Sequence, residues 1–270
     1  SGCSIIIKPS ALSPLSAYIL GKIIHDIDFP AGVVNILSGP TIEVATTLSK
    51  SKIPAVLTMI GSTATGQRVI ADSATSIKKL SMELGGNAPF IVFEDAAIDK
   101  ALDLAIGIKF GNSGQICVAA NRFFVHKSLY NSFLEKYVER VNNLKLGFGI
   151  DQKPDMGPMV TRNDRDRMFD LINDAKEKGG VLLVGGEIPK GMEDGNWMMP
   201  TVISGMTTEM RLFREETFGP IAPFMSFETD EEVLRLANDT EFGLASYIFT
   251  NNSDRIHRFS EQLAFGEVQV

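Results

Sequence analysis

Cys117 is the side chain in this sequence that is best suited to covalent chemistry. It lies in the segment 111–122, which carries two glycines and several amide side chains and follows a predicted helix. A loop of this composition can present a thiol to a substrate, and a thiolate is a strong nucleophile. A lone cysteine is, however, more often a small buried hydrophobic residue. The spacing alone does not overturn that second interpretation.

Glu83 is the side chain that could act as a general base. It stands between Met82 and Leu84 in a run that predicts a buried parallel strand. Burial would raise the pKa of this carboxyl towards the range of a general base. The alternative is a glutamate at a strand end whose carboxylate reaches solvent. The sequence leaves both interpretations open.

The segment 61–66, GSTATG, stands between a predicted strand and a predicted helix. The unpaired N–H groups at the start of a helix favour an anion such as a phosphate. The segment matches neither the Walker A loop nor G-x-G-x-x-G, so a plain strand-to-helix turn is an equal alternative.

Several other classes of site are not indicated. The three histidines, His25, His126 and His257, are scattered without metal-ligand spacing, so we predict no metal site. A net charge of −7 disfavours a nucleic-acid partner, because binding phosphates needs clustered Lys and Arg. The longest apolar runs fall far short of the roughly 20 residues of a membrane span.

The cysteines indicate the compartment. Cys3, which we place in a buried strand, and Cys117 are the two cysteines of the chain, and their settings differ. A disulfide framework is therefore not indicated, and a reducing compartment is favoured. The first residues lack the pattern of a signal peptide, so we predict a cytoplasmic protein.

Short apolar runs alternate with amphipathic patterns along the chain, which predicts an α/β protein with a parallel, doubly wound sheet. We predict strands at 4–7, 33–37, 55–60, 79–84, 89–93, 122–125, 181–184, 198–202, 221–227 and 246–250. We predict helices at 14–26, 42–49, from 67, and at 98–110, 129–144, 162–178, 230–238 and 253–262. Ser13 is the expected N-cap of the first helix. The boundary between two α/β units falls near Gly85-Gly86.

Five motifs in this order closely resemble the aldehyde dehydrogenase superfamily, and the resemblance covers essentially the whole chain. They are IKPS at 7–10, GSTATG at 61–66, MELGGN at 82–87, GQIC at 114–117 and EETFGP at 215–220. The resemblance implies a Rossmann-type cofactor-binding domain at 1–85 and an α/β catalytic domain at 86–270. Because chains of this family extend beyond both ends of the matched region, it also implies a chain truncated at both ends.

The resemblance implies the catalytic roles. Cys117 would attack the aldehyde carbon and give a thiohemiacetal, a hydride would pass to the nicotinamide, and a water activated by Glu83 would hydrolyse the thioester. The Cys117 amide, together with an Asn side chain from the preceding part of such chains, would hold the oxyanion.

The resemblance also implies the cofactor contacts. Lys8 would bind the adenine-side ribose and Ser62 the pyrophosphate, while Glu216 and Phe218 would contact the nicotinamide ribose and ring. Ser10, Ala11, Gly61 and Leu84 complete the predicted cofactor site. Members that prefer NAD often carry Glu at position 11. Ala11 removes a carboxylate that would repel a 2′-phosphate, so we expect NADP or NAD, with NADP favoured.

The sequence around Cys117 is closest to the branch that oxidises succinate semialdehyde and other short aldehydes, and we expect a homo-oligomer. A CoA-acylating type is disfavoured by Glu83, since that type generally lacks this base. Outside this chemistry, the chain could be an inactive fragment or pseudoenzyme that serves as a binding module. It could also be a cysteine hydrolase, which would need His126 as the partner of Cys117.

Overall fold

The chain divides into two compact units. The computed structural model describes residues 2–149 and 152–270. Unit 1 is Ser1–Leu84 and unit 2 is Gly85–Val270. This division lies next to the predicted boundary, and the roles assigned to the two parts stay predictions.

Unit 1 alternates strands and helices and contains two parallel two-stranded sheets. Its elements are β1 (Ile5–Ile7), α1 (Leu15–Asp26), β2 (Val34–Ile36), α2 (Thr41–Lys50), β3 (Val56–Ile60), α3 (Thr63–Ser73) and β4 (Lys79–Glu83). Strand β1 pairs with β2, and β3 pairs with β4. Burial is slight in this unit, and α1 has no buried residue.

Three local predictions for unit 1 are wrong. The first helix has Pro14 rather than Ser13 at its N-cap, without a side-chain hydrogen bond. Helix α3 begins at Thr63 rather than at 67, because the Ser62 side chain accepts a hydrogen bond from the amide of Thr65 and caps it there. Cys3 lies before β1 and is exposed, not buried in a strand.

Unit 2 is built on a seven-stranded sheet in the order β11-β10-β5-β6-β9-β8-β7. Its strands are β5 (Ala88–Val92), β6 (Ala120–His126), β7 (Val181–Val184), β8 (Thr201–Ser204), β9 (Ile221–Phe227), β10 (Ala245–Phe249) and β11 (Glu267–Gln269). Its helices are α4 (Ile98–Phe110), α5 (Tyr130–Asn142), α6 (Arg162–Glu177), α7 (Arg211–Arg214), α8 (Asp230–Asn238) and α9 (Ser253–Gln262).

The core of unit 2 lies on both faces of this sheet. Strand β5 is buried along its whole length, as expected for a parallel strand covered by helices. Phe93, Phe124 and Phe213 belong to one cluster, and Phe90 and Phe123 to another. In the described part of the chain, no helix combines the length and apolarity that a bilayer span requires.

Two predictions for this sheet need correction. Strand β7 runs antiparallel to β8, because the connection at 185–200 reverses the chain without a crossover helix. Strand β8 begins at Thr201 rather than at 198, where it pairs with Ile221. Pro200, which has no amide hydrogen to donate to a ladder, precedes it.

Candidate active site

Cys117 lies in a tight turn between α4 and β6. A short 3-10 turn at Gly111–Gly114 precedes it, in which Asn112 (φ 49°) and Ser113 (φ 58°) adopt left-handed backbone conformations. Gly114 follows at φ 70°, and a Cβ atom on it would lie 2.3 Å from the carbonyl oxygen of Gly219. Strain of this kind persists only where surrounding contacts hold it, and it is common at active sites.

Side chains within the turn fasten it to the segment 157–160. The Gln115 Nε2 donates to the Asn112 carbonyl oxygen at 3.1 Å, and the Gln115 Oε1 accepts from the amide of Val160 at 2.9 Å. The Ser113 hydroxyl donates to the Gly157 carbonyl oxygen at 2.7 Å. These bonds fix the backbone conformation of the strained turn that leads to Cys117.

Tyr247 on β10 holds the other side of the turn. Its hydroxyl donates to the Val118 carbonyl oxygen at 2.8 Å. Burial raises the pKa of Tyr247 to about 12, and the charges of Glu267 and Cys117 act in the same direction. The hydroxyl therefore stays a neutral donor at physiological pH. Cys117 itself is half-buried, and among the described residues its amide N–H donates to no acceptor.

Gly86 connects Cys117 with Glu216. A Cβ atom on residue 86 would lie 2.2 Å from the Cys117 carbonyl oxygen, so the two backbones are in direct contact. The amide of Gly86 donates to Glu216 Oε1 at 3.0 Å. Burial raises the pKa of Glu216, against the opposing effects of the Gly86 amide and of the Arg167 and Lys109 charges.

Arg167 of α6 holds the backbone of the EETFGP segment in place. The Arg167 guanidinium donates to the carbonyl oxygens of Glu216 at 3.2 Å and Thr217 at 2.6 Å. Phe218 follows in a left-handed conformation (φ 46°), with its side chain 39% exposed. The structure thus places Cys117, Glu216 and Phe218 in unit 2 and connects the first two through Gly86.

Sequence reasoning missed a buried polar network beside Gly86. Lys109, at the end of α4, is completely buried, and its Nζ donates to Asn121 Oδ1 at 2.9 Å. The Asn121 Nδ2 donates in turn to the Gly86 carbonyl oxygen at 3.2 Å. Burial lowers the pKa of Lys109 to about 7, and the Glu216 carboxylate raises it.

A sequence signal for Lys109 exists. Ala101 and Ala105 are buried on α4, and Lys109 continues their i, i+4 spacing. A lysine in an apolar stripe needs a polar partner, because an unpaired buried charge is costly. Gly86, Arg167 and Tyr247 carry no comparable signal, because their roles depend on partners far along the chain.

Four of the predicted residues of unit 1 come together at the carboxyl ends of β3 and β4. Gly61 donates its amide to the Glu83 carbonyl oxygen at 3.0 Å. The Ser62 hydroxyl lies 2.9 Å from Thr65 Oγ1 at the start of α3. Leu84 packs under the same helix, since a Cβ atom on Gly66 would lie 2.6 Å from Leu84 Cδ2.

Glu83 is the last residue of β4 and is exposed. Strand β4 pairs with β3, but most of its side chains, including Glu83, are exposed. Of the two interpretations left open for Glu83, the structure agrees with the glutamate at a strand end whose carboxylate reaches solvent. Its assignment as a general base rests on the MELGGN motif alone.

Lys8, Ser10 and Ala11 follow the carboxyl end of β1, the edge at which parallel sheets bind ligands. The Lys8 Nζ donates to the Pro9 carbonyl oxygen at 2.9 Å. The Ser10 Oγ accepts from the amide of Leu12 at 3.2 Å. Ala11 is exposed and adds no charge to this edge.

The residues present fit a nicotinamide cofactor. Glu216 uses Oε1 for the Gly86 amide, and its Oε2 has no hydrogen-bond partner among residues 2–149 and 152–270, so it can accept from ribose hydroxyls. In unit 1, Ser62 and the first amides of α3 form a cap of the type that binds phosphate.

Neither a metal-ligand cluster nor a Cys117–His126 pair is found among the described residues. Within the described residues, no group of three or more His, Cys, Asp and Glu side chains is arranged to hold a metal ion. His126 is the last residue of β6, roughly 20 Å from its start near Cys117, and its Nδ1 lies 2.8 Å from the Ser128 hydroxyl. A Cys117–His126 pair is therefore excluded by the length of the strand.

Comparison with known proteins gives concordant matches. A model of the aldehyde dehydrogenase family matches residues 1–270. A mitochondrial succinate-semialdehyde dehydrogenase of Oryza sativa subsp. japonica is 41% identical over 100% of this chain and 51% of its own length. An NADP(+) succinate-semialdehyde dehydrogenase of Escherichia coli (strain K12) is 38% identical over 100% of this chain and 55% of its own length.

A solved structure agrees with this result. The crystal structure of succinate-semialdehyde dehydrogenase from Burkholderia pseudomallei matches with a TM-score of 0.96 and 40% identity, over 99% of this chain and 55% of that chain. The chain thus spans about half the length of the curated relatives it matches. Its mixed α/β architecture and its motifs agree with these comparisons, and the chain belongs to the aldehyde dehydrogenase family.

Proposed function

We propose that this protein oxidises an aldehyde to a carboxylate with a nicotinamide cofactor, and that Cys117 is its nucleophile. The observation that carries the proposal is the turn around Cys117. It is strained, it is fastened by side chains on both sides, and its Cys117 amide has no acceptor in the described part of the chain. A nucleophile beside an unpaired donor is the arrangement that acyl chemistry requires.

In this mechanism the Cys117 thiolate adds to the aldehyde carbon, and the carbonyl oxygen takes the negative charge. The Cys117 amide donates to that oxygen and stabilises the tetrahedral adduct. Glu216 and Phe218 would hold a nicotinamide cofactor, which would supply the hydride acceptor that oxidation of the adduct to a thioester requires. Glu83 then takes a proton from water, the hydroxide attacks the thioester carbon, and the carboxylate leaves as the thiolate is restored.

The cofactor contacts are also part of the proposal. Glu216 would accept from the nicotinamide ribose, Phe218 would contact the ring, and Ser62 would bind the pyrophosphate. Lys8, Ser10 and Ala11 would surround the adenine-side ribose, and Gly61 and Leu84 would contact the cofactor near Ser62. Because Ala11 carries no charge, a 2′-phosphate would meet Lys8 without like-charge repulsion. We therefore favour NADP, which the name of the Escherichia coli relative also carries.

A short semialdehyde is the proposed substrate class. Both curated relatives described above are named as succinate-semialdehyde dehydrogenases. The remaining details, a homo-oligomer and a cytoplasmic location, stay predictions from the sequence.

The test is an assay of the purified full-length protein with succinate semialdehyde and either NADP or NAD, followed by absorbance of the reduced cofactor. We expect turnover that needs both the aldehyde and the cofactor, and more efficient use of NADP. Cys3→Ser is the matched control for Cys117→Ser and should keep full activity. If no reduced cofactor forms with a panel of short aldehydes, the proposal fails.

The alternatives give different results in the same assay. A binding module that has lost catalysis would bind NADPH without turnover, and family membership does not favour it. A CoA-acylating enzyme would need CoA for turnover and release a thioester, so a CoA-independent carboxylate product would exclude it.

A further inference from the structure

Lys109, Asn121, Gly86 and Glu216 form a closed ring of interactions within unit 2. The Lys109 Nζ donates to Asn121 Oδ1, Asn121 Nδ2 donates to the Gly86 carbonyl oxygen, and the Gly86 amide donates to Glu216 Oε1. The charges of Glu216 and Lys109 close the ring, since each shifts the titration of the other.

Each member of the ring has few other partners or positions available. The side chains of Lys109 and Asn121 are buried, so neither can replace its partner with bulk water. Gly86 cannot move towards the Cys117 carbonyl oxygen, because the two are already in contact. An amide such as Asn121 presents an acceptor oxygen on one side and a donor nitrogen on the other, and the Lys109 donor decides which one faces Gly86.

The carboxylate of Glu216 is the least buried member of this ring. It is half-buried, and its Oε2 has no partner in the described residues. Burial disfavours its charged form, whereas Lys109 and Arg167 favour that form. A carboxylate that must accept from a ligand hydroxyl has to remain charged and correctly oriented.

We propose that Lys109 is a positioning residue of the cofactor site. It orients Asn121 and Gly86, and its positive charge stabilises the Glu216 carboxylate. This inference rests on the proposed function, because it takes Glu216 as the group that meets the nicotinamide ribose. Lys109 touches neither substrate nor cofactor and acts through the ring.

Two variants separate the hydrogen bond of Lys109 from its charge. Lys109→Met removes both, while Lys109→Gln keeps a donor for Asn121 and removes the charge. Lys100→Met is the matched control, since Lys100 is an exposed lysine on the same helix. The Kd of NADPH is measured by nicotinamide fluorescence at a pH below 7, where Lys109, with its pKa of about 7, carries its charge, alongside KM and kcat for the aldehyde reaction.

We expect Lys109→Met to raise the Kd of NADPH by about tenfold, the effect of one charge-assisted hydrogen bond, with a similar rise in KM for NADP and a smaller change in kcat. Lys109→Gln should show a smaller rise, and Lys100→Met none. In a Glu216→Gln background, Lys109→Met should add little, because the charge that it supports is gone.

A purely structural lysine would lower the unfolding midpoint and leave the Kd, KM and kcat of the folded protein unchanged, which would overturn the proposal. Full additivity with Glu216→Gln would also overturn it. If Lys109→Met does not fold, Lys109→Gln carries the same comparison.

Failure of the proposed function has its own signs in the wild-type protein. Either the wild-type protein binds NADPH without oxidising aldehydes, or it does not bind NADPH. In the second case, urea unfolding of the single and double variants decides: coupling between Lys109 and Glu216 supports the ring, and independent effects refute it.

Discussion

Gly86 and Cys117 are in backbone contact, so that a Cβ atom on residue 86 would lie 2.2 Å from the Cys117 carbonyl oxygen. Gly86 belongs to the segment that leads into β5, and Cys117 to the turn that leads into β6. The pairing of these two strands brings the two segments together. The absence of a side chain at position 86 is therefore a requirement of the candidate active site.

Gly86→Ala should displace the Cys117 turn. Because the obstructing atom is backbone, the turn cannot yield cheaply, and we expect a loss of about 1–3 kcal/mol in unfolding free energy together with slower alkylation of Cys117. Gly107→Ala is the control, since nothing lies within 4 Å of a Cβ atom at that position of α4. Urea unfolding measures the first effect, and iodoacetamide kinetics in a Cys3→Ser background measure the second. Equal behaviour of the two variants would contradict the contact.

Cys117→Ser should abolish aldehyde oxidation, because a hydroxyl is a far poorer nucleophile than a thiolate near neutral pH. Since Cys3 is exposed, the order in which the two thiols react with a reagent is not diagnostic. Labelling is therefore done in a Cys3→Ser background, where we expect one modified thiol and protection by aldehyde plus cofactor. Substantial residual oxidation by Cys117→Ser would refute the assignment.

Glu83→Gln should allow the first turnover and stall hydrolysis of the thioester. Removing a general base costs about 10²–10⁴ in rate, so we expect a burst of reduced cofactor followed by slow steady-state turnover. Glu43→Gln, at an exposed glutamate of α2 in the same unit, is the control and should behave as wild type. Stopped-flow absorbance distinguishes the phases. A burst reduced in step with the steady state would assign Glu83 another role.

Ala11→Glu should turn the cofactor preference towards NAD. The added carboxylate would repel a 2′-phosphate and could accept from a 2′-hydroxyl, which changes the ratio of kcat/KM values by about tenfold or more. Ala71→Glu adds the same charge at an exposed position of α3 and should leave the ratio unchanged. A wild-type protein that already prefers NAD strongly would contradict the hypothesis that Ala11 favours NADP.

Lys109 should make stability depend on pH. Its pKa is about 7 in the folded chain, against an ordinary value of 10.5. Between these values the unfolded chain binds more protons, so the unfolding free energy should rise with pH; below about pH 7 both states are protonated and this contribution is flat. Lys109→Met should lack the rise. Urea unfolding at pH 7 and pH 9.5 measures the difference, and parallel behaviour of the two proteins would show an unperturbed lysine.

Much of unit 2 was predictable, because its elements follow from local periodicity. Helices α4, α8 and α9 and strand β9 have the bounds expected from the spacing of their apolar residues. The starts of α3 in unit 1 and of β8 in unit 2 were shifted by a capping serine and by a proline, which act on single residues and are not visible in a periodic pattern.

By itself, the sequence determined the α/β alternation, the five motifs and the family to which they belong. It also made Cys117 the candidate nucleophile, since the motif around that residue is local. The tertiary structure alone decided the exposure of Glu83, the antiparallel course of β7 and the ring that joins Lys109 to Glu216. The physical reason is distance along the chain: the Gly86–Glu216 bond joins residues 130 positions apart, and no local pattern encodes which side chains such a contact will bury.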